Sequence, residues 1–90
     1  MKINQTNLFK KAVKKLPKQT KIAVDDEVRK IAKDPLLGEL KKGDLDFLRV
    51  HKFKISNQQY LLGYTFNEDI MTLTLLKLGS HENFYRDLKR

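Results

Sequence analysis

The residues best suited to chemistry lie in two short runs, Arg49-Val50-His51-Lys52-Phe53-Lys54 and His81-Glu82-Asn83-Phe84-Tyr85-Arg86. In the first run, strand-like alternation puts Leu48, Val50, Lys52 and Lys54 on one face and Phe47, Arg49, His51, Phe53 and Ile55 on the other. Lys52 and Lys54 then stand side by side, about 7 Å apart at their Cα atoms, and repel unless an anion such as a phosphate sits between them. An ordinary edge strand also carries lysines, because they discourage edge-to-edge pairing. A bulge in this strand would exchange its two faces. Arg49 and His51 are further candidates for phosphate contact, although His51 reads first as a structural or exposed residue.

In the second run, His81 and Tyr85 are four residues apart and share one helix face. An imidazole exchanges protons near neutral pH, and a phenol beside it adds a ring on which a base can stack. Arg86 supplies a permanent charge and a fork that matches phosphate. The same segment also reads as a capping helix, N-capped at Ser80 after Gly79, with Phe84 and Leu88 packed on a sheet. Those two readings are compatible. Other chemistries fail on inventory. With two histidines and no cysteine, a zinc site would have to draw carboxylates from distant points. There is no glycine-rich phosphate loop and no serine nucleophile elbow. The acid pairs Asp25/Asp26 and Asp44/Asp46 fall on a helix surface and in a loop, with nothing to suggest glycosidase geometry. No metal or cofactor is expected.

The elements that must position these groups begin with three strand-like runs: Phe47 to Ile55, Gln59 to Phe66 and Met71 to Leu78. Ser56-Asn57 and Asn67-Glu68-Asp69 join them, and links this short force neighbouring strands to run antiparallel. Upstream, Thr6 or Asn7 is a plausible N-cap for a first helix whose stripe is Leu8, Phe9, Ala12, Val13 and Leu16; Pro17 ends it. A second helix is expected over Lys18 to Lys33, burying Ile22, Val24, Val28, Ile31 and Ala32, and stopped by Asp34-Pro35. Residues 35–44 read as a loop. The expected fold is α+β in a single domain, 1–90. An N-terminal antiparallel helical hairpin packs on a small antiparallel sheet, a three-stranded meander with room for a short strand over Met1 to Gln5. A short helix over His81 to Lys89 closes the chain.

A chain of 90 residues buries only roughly 60 to 65% of its unfolded surface, so the core is small. The net charge is +8, and residues 1–33 hold ten Lys or Arg against three acids. A basic surface of that kind attracts polyanions: nucleic acid, ribosomal RNA or an acidic protein. No apolar run approaches the roughly 18 residues of a membrane span, and the N-terminus lacks the apolar core of a signal peptide. By elimination the expected location is the cytoplasm, with no membrane partner.

The basic helical pair ending in "KDP", the entry "LKKGDLDFLRVHKFKI", then "YLLGYTF" and "LTLLKLGSHENFY" resemble the RelE/ParE superfamily of bacterial toxin–antitoxin systems over nearly the whole chain. The resemblance implies a toxin held by a cognate antitoxin. RelE-like members are endoribonucleases that cleave mRNA, usually in the ribosomal A site, by attack of the RNA's own 2′-hydroxyl and without a metal. By position, Lys52 and Lys54 match the paired basic residues of that family's first long strand. His81 falls where relatives carry His or Arg, and Tyr85 matches the aromatic of the closing segment. Where some nucleases of the family place an arginine in the second strand, this chain has Leu61. ParE-like members lack the nuclease set and inhibit DNA gyrase, and this is the alternative function.

Overall fold

The structure, a computed structural model, describes residues 1–41, 47–81 and 84. The elements are β1 (Lys2–Gln5), α1 (Asn7–Lys14), α2 (Lys18–Lys33), β2 (Glu39–Leu40), β3 (Arg49–Ile55), β4 (Gln58–Asn67) and β5 (Thr72–Ser80). One sheet holds all five of these strands in the order β1-β5-β4-β3-β2. β1 runs parallel to β5, and the remaining neighbours are antiparallel.

This corrects the expected architecture of an N-terminal helical hairpin on a three-stranded antiparallel meander. The chain starts with a strand, the sheet has five strands, and its pairing is mixed. Of the two added strands, β1 falls where the expected fold has room for a short strand and β2 where it has a loop; neither is marked by its side chains, for a physical reason. All four residues of β1 are exposed, so no apolar alternation marks it, and main-chain bonding to β5 holds it in place. β2 is only two residues long, pairs Glu39 with Val50 and Leu40 with Arg49, and falls inside the segment read as a loop. The helices, rather than forming a free-standing hairpin, rest on different strands, α1 on β5 and α2 on β3. Their buried stripes are correspondingly narrow: Leu8 and Ile22, expected inside, are 52% and 54% exposed. The closing helix falls largely on residues outside those described.

The sheet is covered on both faces, unequally. On the helix side, Phe9, Val24, Ile31, Leu62, Tyr64, Leu73, Leu75 and Leu78 form the main core. On the other face Leu48, Val50, Leu61 and Phe84 form a smaller one, with Leu76 against it. Adjacent leucines in β4, Leu61 and Leu62, therefore go to opposite cores, as the two-residue period of a strand requires.

β5 departs from that period once. Gly63 pairs with Lys77 and Tyr64 with Leu75, so Leu76 is an extra residue that bulges the strand. Thr6 holds it there. Its hydroxyl donates to the Leu76 carbonyl at 2.6 Å and accepts from the Phe9 N–H at 3.1 Å, while its own N–H donates to the Leu75 carbonyl at 3.0 Å. One side chain thus caps α1 and ties its start to the bulge.

Tyr64 fastens the connection after α2. Its buried hydroxyl donates to the Pro35 carbonyl at 2.7 Å and accepts from the Gly38 N–H at 2.8 Å. Burial pushes the phenol above its ordinary pKa, which keeps it a neutral donor. Gly38 must be glycine, because a Cβ there would come within 2.8 Å of the Tyr64 ring and hydroxyl. Tyr64→Phe leaves the Gly38 N–H and the Pro35 carbonyl without a partner, so it should lower stability by about 1 to 3 kcal/mol. A urea melt checks this; an unchanged midpoint would show that the loop is held otherwise.

Candidate functional site

The hairpin between β3 and β4 sets the register of the site. Ser56 and Asn57 have φ of 51° and 68°, and Ile55 pairs with Gln58, which is a two-residue type I′ turn. From that turn the pairing runs Lys54↔Gln59, Phe53↔Tyr60, Lys52↔Leu61. β5 continues the rows with Tyr60↔Ser80 and Leu61↔Gly79. Lys52, Leu61 and Gly79 therefore form one row across three strands, spanning about 10 Å from β3 to β5.

The pleat of β3 assigns the faces. Leu48 and Val50 lie in the smaller core, whereas Phe53 and Ile55 pack on the helix-side core. Lys52 and Lys54 share parity with Val50, so they stand on the face away from the helices, and both are exposed. β3 keeps an unbroken register with β4, so no bulge exchanges the two faces. His81 is exposed and follows directly on Ser80, at the end of the sheet that carries Lys54 and Gln59. Nothing among the described residues lies within 4 Å of where a Gly79 Cβ would be, so the surface there is open. Lys52, Lys54 and His81 are thus brought to one end of the sheet. Tyr85 and Arg86 lie outside the described residues.

Arg49 and His51 are not part of this surface. Arg49 donates to the Gly38 carbonyl at 3.0 Å and to the Leu36 carbonyl at 3.5 Å, bracing the loop that Tyr64 also holds. His51 Nε2 lies 2.7 Å from Glu27 Oε1 on α2, and both side chains are about 15% exposed. Lys30 reaches the other carboxylate oxygen, Oε2, at 2.8 Å. Burial alone would raise the Glu27 carboxyl, but the hydrogen bonds from Lys30 and His51 outweigh it and hold the group below the ordinary glutamate range. The ionised carboxylate only accepts, so Nε2 of His51 carries the proton.

Two contributors escaped the sequence reading. Gln59 stands opposite Lys54 and between it and the end of β5, and only the register of the turn reveals it. Glu27, the partner of His51, is 24 residues away on another element, and no local spacing links them. Lys77 is also notable, a lysine only 5% exposed beside the bulge. An open groove lined by Phe47, Thr65, Phe66, Asn67, Glu68 and Asp69 lies at the far end of β4, away from the cations. Among the described residues no three His, Asp or Glu side chains gather to hold a metal, and no helix is long and apolar enough to cross a membrane. On the outer side of the helices, Lys10, Lys11, Lys14, Lys15 and Lys18 are exposed, on the layer opposite Lys52 and Lys54.

Comparison with known proteins agrees with this architecture. A family described as ParE-like toxin of type II bacterial toxin–antitoxin system matches residues 3–89. A chain of the RelBE2 toxin–antitoxin complex of Mycobacterium tuberculosis is 18% identical with a TM-score of 0.77, covering 89% of this chain and 96% of that one. The Escherichia coli RelBE complex gives 14% identity and a TM-score of 0.71, covering 88% and 94%. Escherichia coli RelE bound to a peptide of its antitoxin RelB gives 12% and 0.70, covering 97% and 92%. At these identities the likeness is one of fold. No curated protein matches the chain in sequence.

The depressed Glu27 carboxyl has a pH signature. A group whose folded pKa lies below its unfolded one stabilises above the unfolded value, and that contribution is lost as pH falls through the folded value. Glu27→Gln should therefore lower Tm by about 4 °C or more above pH 5, with the gap to wild type closing below about pH 4. A gap that stays constant from pH 6 to pH 3 would show that the carboxylate charge contributes nothing.

Proposed function

The chain belongs to the ParE-like toxins of type II bacterial toxin–antitoxin systems, and from that premise we propose that it is an endoribonuclease cleaving messenger RNA on the ribosome by a chemistry that needs no metal. The observation that supports this most is the placement of Lys52 and Lys54 on the sheet face away from the helices, at the end where β5 delivers His81. In this reading the RNA's 2′-oxygen bonds to the adjacent phosphorus and the bond to the 5′-oxygen breaks. The products are a 2′,3′-cyclic phosphate and a 5′-hydroxyl. His81 and Tyr85 divide the proton transfers, one taking the 2′-hydroxyl proton and the other supplying the leaving oxygen. Lys52, Lys54 and Arg86 stabilise the charge that builds on the phosphorane. Arg49 and His51, bound to the loop and to Glu27, act behind the sheet.

One observation favours a second reading. Leu61 occupies the middle of the Lys52–Gly79 row and is fully buried, so the centre of this face carries no cation from β4. A ParE-like toxin that inhibits DNA gyrase needs no nuclease site there. In either case the partner is a cognate antitoxin, in keeping with the antitoxins in the RelBE complexes. Its acidic segment would meet the helix-layer lysines, and its apolar side chains exposed residues such as Leu8 and Ile22.

Two measurements separate these possibilities. With His81→Ala, cleavage mapped from RNA ends after brief induction should fall by about 10²-fold or more. Wild-type cleavage by folded His81→Ala would remove His81 from the mechanism, whereas no cleavage by the wild-type chain together with inhibition of gyrase supercoiling would favour the second reading. Because apolar burial contributes to the antitoxin complex, it should survive about 1 M salt, where charges are screened beyond about 3 Å. Complete dissociation under those conditions would mean that charge alone holds it.

A further inference from the structure

A continuous column of side chains lies directly behind the candidate site, on the helix side of the sheet. It begins at Glu27 on α2, whose Oε1 meets His51 Nε2 at 2.7 Å. The His51 ring stacks on Phe53 with centroids 5.4 Å apart and planes inclined by 23°. Phe53 stacks in turn on Tyr60, at 5.9 Å and 19°. The column then reaches β5 through the backbone, since Tyr60 pairs with both Phe53 and Ser80, and Ser80 immediately precedes His81. The row Phe53–Tyr60–Ser80 lies between the row carrying Lys52 and Gly79 and the row carrying Lys54 and Gln59. Whatever fixes that middle row fixes how far the two lysines stand from the end of β5.

The chemistry of the column suits that task. Rigid rings stacked in sequence resist shear between strands better than flexible aliphatic chains, and stacked aromatic pairs attract beyond what their buried area alone supplies. The Glu27 contact anchors the stack to a helix, so β3 cannot slide along its neighbour without breaking a charge-assisted hydrogen bond. A separation of about 10 Å between lysine and histidine strands leaves room for one phosphate group and little tolerance. Misplacement of catalytic groups by about 1 Å can cost 10²-fold in rate.

We propose that Glu27, His51, Phe53 and Tyr60 are positioning residues: their column sets the spacing between the Lys52/Lys54 pair and His81. This rests on the ribonuclease reading for its kinetic consequence, and on geometry alone for its structural one. The test uses the full chain with Tyr60→Leu, which removes the last ring, and Tyr60→Phe, which keeps it. With ribosomes carrying a short mRNA as substrate, Tyr60→Leu should lower kcat about 10-fold or more with KM within about twofold of wild type, and Tyr60→Phe should restore kcat. The NMR signal of the His81 ring should shift in Tyr60→Leu and stay in place in Tyr60→Phe. A folded Tyr60→Leu with wild-type kcat and an unmoved His81 signal overturns the proposal. If Tyr60→Leu does not fold, His51→Phe, which keeps the stack and loses the Glu27 bond, and His51→Gln, which loses the ring, are measured in the same way; wild-type behaviour of both overturns it. A wild-type protein that cleaves no RNA removes the ribonuclease reading, while the His81 signal still decides the positioning claim.

Discussion

The extra residue in β5 governs which side chains face which way. Before it, Leu73 and Leu75 point to the helix-side core; after it, Leu78 does so, leaving Gly79 on the opposite face. In an unbroken strand Gly79 would share the parity of Leu73 and Leu75, and the open surface beside Lys52 would not exist. Thr6 fixes the phase from the other side of the sheet, through the hydrogen bond to Leu76 that also seats the start of α1. The capping of a helix and the layout of the sheet face that carries Lys52 and Gly79 are therefore one interaction viewed from two sides.

The same economy appears towards the opposite edge of the sheet. Tyr64 and Arg49 together hold the residues after α2, using the hydroxyl of one and the guanidinium of the other on the backbone of Pro35, Leu36 and Gly38. Arg49 is thus spent on structure, as His51 is on Glu27. β3 carries basic residues on both of its faces. The inward ones stabilise the domain, and the outward ones, Lys52 and Lys54, are exposed to an approaching anion. Across the molecule, the lysines of α1 and the start of α2 form a second basic surface on the far layer. A polyanion approaching from either layer meets a cationic surface.

Much of this was legible in the residues, and what was not has identifiable causes. The alternation of Leu48, Val50, Lys52 and Lys54 against Arg49, His51, Phe53 and Ile55 assigned the faces of β3, because the small second core makes the pleat visible in the apolar pattern. Thr6 was recognisable as one of two possible caps, but its hold on a carbonyl 70 residues away was not. The bulge did leave a trace: Leu75-Leu76 interrupts the Thr-Leu-Thr-Leu alternation of β5. β1 leaves none, since an exposed edge strand bonds through its main chain and its side chains carry no pattern. Leu8 and Ile22 were placed inside because helical spacing shows which residues share a stripe and not how wide a stripe the sheet can cover.

The central claim is that Lys52, Lys54 and His81 act on one phosphate over the face of the sheet away from the helices. Titrating the isotope-labelled chain with a short RNA whose 2′-hydroxyls are methylated, so that it cannot be cleaved, tests this most directly. The account predicts amide and side-chain shifts concentrated at Lys52, Lys54, Gln59, Gly79 and His81, with the helix layer changing little at moderate salt. Shifts confined to the lysines from Lys10 to Lys18, with the sheet face silent, would contradict it.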